Sequence, residues 1–311
     1  MAAAPENPPL APPRAGTDPR LYQIGALSLL LLYGIGALGF DVGPLRVAVV
    51  VGAALLTQSI ASRWASIPFD PRSPLITALS LCLLLRTTSP DLAAAAAVVA
   101  IGSKFVLRVR GKHVFNPTNL AIVLFLGFTN GAWVSPGQWG SATVLAFFVV
   151  CLGGLVIHRA LRTEVTLAFL VFWTAILFGR SAVVGEPLGI PLHRLQSGAL
   201  LIFAFFMISD PKTTPDRRVG RVLFAFAVAL GAGYIQFHLF RPNALLWSLA
   251  LLSPLVPLLD RLLPGTRYEW AGRGIPHRRD RNESDTLGRC LPQAPGQEAS
   301  LPQGGDALAG S

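Results

Sequence analysis

The chain has 311 residues, of which 52% are hydrophobic and only 14% charged, with a formal net charge of +10. That balance lies at or beyond the edge for a soluble globular chain and points to a membrane protein. The positive charge does not imply a nucleic-acid partner, because the basic residues are not clustered with exposed aromatics and follow membrane topology instead.

Residues 1–20 read as a disordered tail, rich in Pro and poor in apolar residues. They lack the basic start and apolar core of a signal peptide, so the first apolar run acts as an uncleaved anchor. A polytopic membrane domain then covers 21–262. Its ten apolar runs are 22–40, 46–61, 74–85, 91–107, 119–131, 141–158, 165–179, 197–209, 220–238 and 244–261. Residues 263–311 form a second disordered tail, this one basic. Ten crossings place both termini on one side of the bilayer. That side collects 21 Lys and Arg residues and the other side 5. The positive-inside rule therefore puts both termini in the cytoplasm of a bacterial inner membrane.

Lys104 lies near the cytoplasmic end of the fourth run, where snorkelling to the interface is expected. Trp64, Trp133 and Trp139 lie at interfaces. Thr57, Gln58, Thr174, Gln236 and Ser248 are polar groups at depth, expected to form interhelical hydrogen bonds. Asp41, Asp210, Asp260, His158 and His238 all sit at or near segment ends, so no proton relay crosses the interior. Cys82, Cys151 and Cys290 have no metal or redox spacing. With no nucleophile–base pair either, no independent catalysis and no metal site are expected.

Two runs are too short to cross. "SPLITALSLCLLLRTTSPD" (73–91) and "SGALLIFAFFMISDPKTTPD" (197–216) each hold about thirteen apolar residues, or ~20 Å of helix. Each begins at a serine and ends in a basic-Thr-Thr sequence. They are the third members of two five-segment sets, 22–131 and 141–261. Five crossings each give the sets opposite orientations, and short segments at matching positions of inverted repeats mark a central site. Ser73 and Ser197 are candidate N-caps. If the extended portions precede the helices, two positive N-termini approach the midplane and favour an anionic or electron-rich ligand. The alternative is that both helices tilt or thin the bilayer. A third element, "RVRGKHVFNPTNLAIVL" (108–124), combines a turn at Gly111 with Pro117 at a helix start. Thr118 or Asn119 would cap that helix. Asn116 and Asn119 are amides able to bind a flavin ring edge or ribityl chain. Asp210 stands before Pro211 at a helix C-terminus, where a carboxylate is unfavourable. It is expected either to pair with Arg217, Arg218, Arg221 or a basic residue of 108–112, or to form a solvated Asx-turn.

"FNPTN" after a basic Gly-containing loop resembles the Asn-Pro signature of the NqrB/RnfD membrane subunits. "SGALLIFAFFMISDPKTTPDRRVGR" resembles that family's second half-helix, and the likeness runs through most of 70–262. The outline is closest to the compact UnbU-type members found with enediyne biosynthesis clusters, through "ITALSLCLLLRT" and "AIGSKFVLRVRGKHVFNPTN". The resemblance implies an all-α integral membrane protein with ten helices in an inverted repeat and two half-helices. It also implies a place in ion-translocating, flavin-containing electron-transfer complexes with other membrane or redox subunits. Typical members carry FMN covalently on a Thr of a long external loop. Here that loop is only 131–139, and "GSAT" ends at Thr143, one residue short of the motif. No covalent FMN is therefore expected, with Thr143 as the only candidate attachment point. Non-covalent riboflavin or FMN remains, with Gly111, Asn116, Asn119, Ser73, Ser197, Asp210 and Thr213 as candidate contacts. The alternative function is a transporter or export-linked protein for a small metabolite.

Overall fold

The computed structural model describes residues 18–135, 153–154 and 163–268. Thr143, Cys151, Trp139, nearly all of the sixth apolar run and most of both tails lie outside them; of the expected tails, residues 18–20 belong to the start of the first helix and 263–268 are described. The described chain is largely helical, and four of its first five helices begin in the same way. Helices α1 (Pro19–Ala37), α2 (Pro44–Trp64), α4 (Pro90–Val106) and α5 (Pro117–Phe128) each have proline in the first turn. Proline there sacrifices no intrahelical hydrogen bond, and its fixed φ suits the helix. Side chains of Asp18, Ser89 and Asn116 cap three of these starts, accepting from the amides of Arg20, Leu92 and Asn119.

Helices α1, α2, α6 (Thr163–Val184) and α9 (Arg218–Phe237) are long and apolar enough to cross a membrane. Two bent pairs raise that number to six. One is α7 (Gly189–Leu195) with the segment 198–207, bent by 48°. The other is α10 (Ala244–Leu252) with α11 (Leu255–Leu262), bent by 49° at Pro254. The outer faces expose Leu32, Leu56, Val171 and Val183, as a lipid-facing surface does. This is an all-α integral membrane protein of several spans.

Small residues bring the helices together. Ala93, Ala96, Ala97 and Ala100 of α4 are buried, as is Ala54 of its neighbour α2. Ala225, Ala229 and Ala232 of α9 are buried too, and α9 packs against α6. Where α9 meets α10, Ser248 donates to the Val228 carbonyl at 2.7 Å. A Cβ on Gly231 would stand 2.6 Å from the Ser248 hydroxyl, so only glycine fits there. Ser248 thus bridges helices as expected. Thr57 and Gln58 do not, because they bond within α2, to Ala53 and Ser62.

Helix α3 (Arg72–Leu84) is short and deeply buried over its last eight residues. It runs directly into an extended segment. Strand β1 (Leu85–Thr87) continues from it and pairs antiparallel with a strand after α5 (Ala132–Val134), Arg86 facing Trp133. The other short run behaves alike. Helix α8 (Gly198–Ile202) continues as a buried π-helical turn (Phe203–Met207), and an irregular segment follows. The expectation that two N-termini meet at depth is therefore corrected. Each short helix is followed by buried non-helical backbone, whereas the non-helical residues before it, 65–71 and 196–197, are mostly exposed. A serine ahead of an apolar run suits a helix start at any depth, so it carries no information about which end is buried.

Candidate functional site

The site lies at one end of the bundle, where the first half of the chain meets the second. Strands β2 (Arg108–Val109) and β3 (Lys112–His113) form a hairpin after α4. Its two-residue turn needs positive φ at both positions, and Arg110 has +52° and Gly111 +75°. The turn projects Lys112 toward the other half. Its ammonium binds Asp216 Oδ1 at 2.9 Å and Asp260 Oδ2 at 2.8 Å. The Asp216 amide donates to Asp260 Oδ1 at 2.7 Å. Lys112 is buried, so this triad is a desolvated lock between the halves.

Next to it, both candidate amides are engaged by the protein itself. Asn116, rather than Thr118 or Asn119, caps α5; its Oδ1 accepts from the Asn119 amide at 3.0 Å. Its Nδ2 donates to the Met207 carbonyl at 3.3 Å and to Asp210 Oδ2 at 3.5 Å. Asn119 Nδ2 donates to the Leu246 carbonyl at 3.1 Å. Of the side-chain atoms of these two amides, Asn119 Oδ1 alone lacks a partner among the described residues. A flavin edge would have to break ties between the halves to use Asn116 or Asn119 Nδ2, whereas Asn119 Oδ1 is an open acceptor.

Asp210 accepts from the Lys212 amide at 3.0 Å, which is the Asx-turn geometry. Its backbone carbonyl takes Thr213 and Thr214 hydroxyls. Of the arginines expected to pair with it, Arg218 and Arg221 face Glu164, and Arg221 also donates to the Asp216 carbonyl. The halves are joined beside Asp210, but through Asn116.

Lys104 does not snorkel. It is buried, and its ammonium folds onto the start of α3, donating to Ser73 Oγ and Thr77 Oγ1 at 2.9 Å each and to the Ser73 carbonyl at 3.3 Å. Three donors meet three oxygens, which offsets the cost of leaving water. Ser73 therefore serves as an acceptor for Lys104 and does not cap α3, whose N-cap is Pro71. Ser197 precedes α8 without a side-chain capping bond. It lies at the opposite end, close in sequence to Arg194, whose guanidinium covers the Phe237 ring.

His113 closes the inner side of the hairpin. Burial, together with the charges of Lys104, Arg108 and Lys212, pushes its pKa down to about 3. It is thus a neutral imidazole, and its buried Nδ1 has no partner among the described residues. At the same end, Asp18, Arg20, Asp70 and Arg72 form a closed ring of ion pairs of 2.6 to 2.8 Å that ties α1 to α3. Against the burial that would raise it, hydrogen bonds from Arg72 and Arg20 hold the Asp70 carboxyl down to about 2.

At the far end of α3, Arg86 is buried rather than in an outer loop. Its Nη1 donates to the Cys82 and Leu85 carbonyls at 2.8 and 3.1 Å, and its guanidinium lies over the Phe40 ring. It supplies the positive charge that a helix C-terminus favours. Of the sequence candidates, Gly111, Asn116, Asn119, Asp210, Thr213 and Ser73 come to one end, and Ser197 does not. Missed by sequence reasoning were the Lys112–Asp216–Asp260 lock, the buried amine of Lys104 and the Arg86 cap. The one available signal was the paired basic-Thr-Thr sequences that follow the short helices.

Comparison with known proteins agrees with the resemblance read from the residues. Residues 131–269 match the model of the NQR2, RnfD, RnfE family. A component of the ion-translocating oxidoreductase complex of Stutzerimonas stutzeri is 32% identical over 158 residues, 49% of this chain and 41% of that protein. A component of the proton-translocating ferredoxin:NAD(+) oxidoreductase complex of Clostridium ljungdahlii is 24% identical over 147 residues, 47% and 42% of the two chains. The Escherichia coli counterpart of the Stutzerimonas protein is 28% identical over 133 residues, 43% and 34%. The chain thus spans less than half the length of the curated relatives it matches.

Proposed function

We infer that this chain, a relative of the NQR2, RnfD, RnfE family, is a membrane subunit of an electron-transport or ion-translocation system. The family match across 131–269 carries the reading. That stretch contains Asp210, Asp216 and Asp260, the residues through which the second half holds the hairpin and Asn116 of the first. Its partners on this reading are further membrane and redox subunits. Mild-detergent purification from native membranes tests it: flavin- or iron–sulfur-containing subunits co-purify in fixed ratio. Isolation of the chain in full yield with no redox protein would count against it.

The layout belonging to this reading is ten segments in two inverted repeats, 22–131 and 141–261, with both termini cytoplasmic in a bacterial inner membrane. The lock, the Asp18–Arg72 ring and the hairpin then face the cytoplasm. On a Cys-free background, external labelling of single cysteines reaches 132–138 and misses 111–118 and 211–218. Labelling of either basic segment from outside would overturn the orientation.

Any flavin on this reading is riboflavin or FMN held non-covalently. The denatured protein, made with a flavin transferase present, then shows no fluorescent band after electrophoresis. A band abolished by Thr143→Ala would refute this.

A further inference from the structure

Beside the Lys112 lock lies a cleft of about 280 Å³. Arg110 and Arg267 stand at its exposed rim, His113 and Lys112 line its inner part, and Val256 and Pro257 form an apolar wall. Its charges are not balanced. Lys112 is matched by Asp216 and Asp260, which also line the cleft and are bound to it and to the Asp216 amide. Among the described residues, no hydrogen bond or ion pair engages Arg110 or Arg267. The Arg267 guanidinium lies over the turn, 3.2 Å from where a Cβ on Gly111 would stand, so glycine lets it approach. Two unmatched guanidiniums at one mouth suit an oxyanion with several acceptor oxygens. Farther in, His113 lines the cleft, with its Nδ1 buried and unpartnered among the described residues. Around the mouth, exposed Val106, Leu107 and Val109 alternate with the hairpin arginines, and Leu258 and Leu262 project from α11. Aliphatic and basic side chains interleaved in this way mark the boundary between acyl chains and headgroups.

We propose that this cleft binds a phosphate ester of net negative charge, with Arg110 and Arg267 on the phosphate. Phosphatidylglycerol at the membrane boundary and a soluble phosphate ester share this chemistry. The aliphatic rim favours the lipid. The proposal does not depend on the electron-transport reading.

Binding of dioctanoyl-phosphatidylglycerol, glycerol 3-phosphate and dioctanoyl-phosphatidylcholine to the purified full chain in detergent distinguishes the sources, read by thermal shift and by titration. Saturable stabilisation by the glycerol lipid, about tenfold weaker in Arg110→Gln/Arg267→Gln, supports the lipid headgroup. An equal, arginine-dependent response to glycerol 3-phosphate supports a soluble ester. If the double variant folds poorly, Arg267→Gln alone, which lies after the last helix, serves in its place. No saturable response to either phosphate probe, an equal response to phosphatidylcholine, or a response unchanged in the arginine variant would overturn the proposal.

Discussion

Lys112→Met removes the cation of the inter-half lock while keeping the length of the side chain. The side chains of Lys112, Asp216 and Asp260 are 10%, 12% and 16% exposed. Breaking a fully buried charge pair by deleting one partner costs about 3–5 kcal/mol. Residual exposure lets water reach the orphaned carboxylates, so about 2–3 kcal/mol is expected here. In a domain of this size each kcal/mol moves Tm by about 2–4 °C, which places the variant about 4–12 °C below wild type. A double-mutant cycle with Asp260→Asn isolates the pair. The double variant has lost one stranded carboxylate, so it is more stable than the sum of the single losses predicts, with a coupling of at least ~1 kcal/mol. Tm of all four proteins in one detergent is the assay, with hydrogen exchange of 107–116 as a local readout. A Lys112→Met protein within about 1 °C of wild type, or strictly additive losses, would show that the hairpin is not held by this triad.

The other predictions probe separate parts of the bundle. His113 is neutral when folded, with a pKa of about 3, and takes up a proton when unfolded below its ordinary value of 6.5, so stability falls as pH drops through that window. His113→Phe should therefore flatten the pH 6.5-to-5 loss of stability by about 2 kcal/mol, and an unchanged profile would place the imidazole in water. Lys104→Ala leaves Ser73 and Thr77 oxygens without their donor and should cost about 2–3 kcal/mol in thermal denaturation, whereas a snorkelling lysine would cost almost nothing. Gly231→Ala drives a methyl into Ser248 and should lower stability by about 1–3 kcal/mol, with Ser248→Gly restoring part of it; independence of the two changes would refute close packing of α9 on α10.

Helix positions were legible in the sequence because their causes are local. An apolar run preceded by Pro and a capping residue forms a helix whatever surrounds it, and the starts at Pro19, Pro44, Pro90 and Pro117 follow that rule. The Arg110–Gly111 turn and the Asp210 Asx-turn are equally local. The lock is not. Lys112 is separated by 104 residues from Asp216 and by 148 from Asp260, and each reads alone as an ordinary surface charge. Lys104 was misjudged for a related reason. Its place near a helix end allows the amine to reach the interface, and only the three oxygens at the start of α3 turn it inward.

The short helices teach the same lesson about sign. A half-helix that presents its C-terminus to buried backbone offers carbonyls, so it calls for donors rather than an anion. The protein supplies them. Arg86 donates to the last carbonyls of α3. The π-helical turn after α8 redirects carbonyls from its ladder, and side chains from three places receive them. Thr166 of α6 donates to Ala204, Ser209 to Phe205, and Asn116 to Met207. The basic-Thr-Thr echo is thus real in sequence but served by different chemistry at its two sites. At the first the basic residue itself covers the helix end. At the second Lys212 turns away to the Tyr268 carbonyl, and the threonines hold the Asp210 carbonyl instead. Asn116 completes the second end from the first half of the chain. Asn116→Ala would therefore uncap α5 and strand the Met207 carbonyl together, which makes that one amide a structural link between the halves before it is anything else.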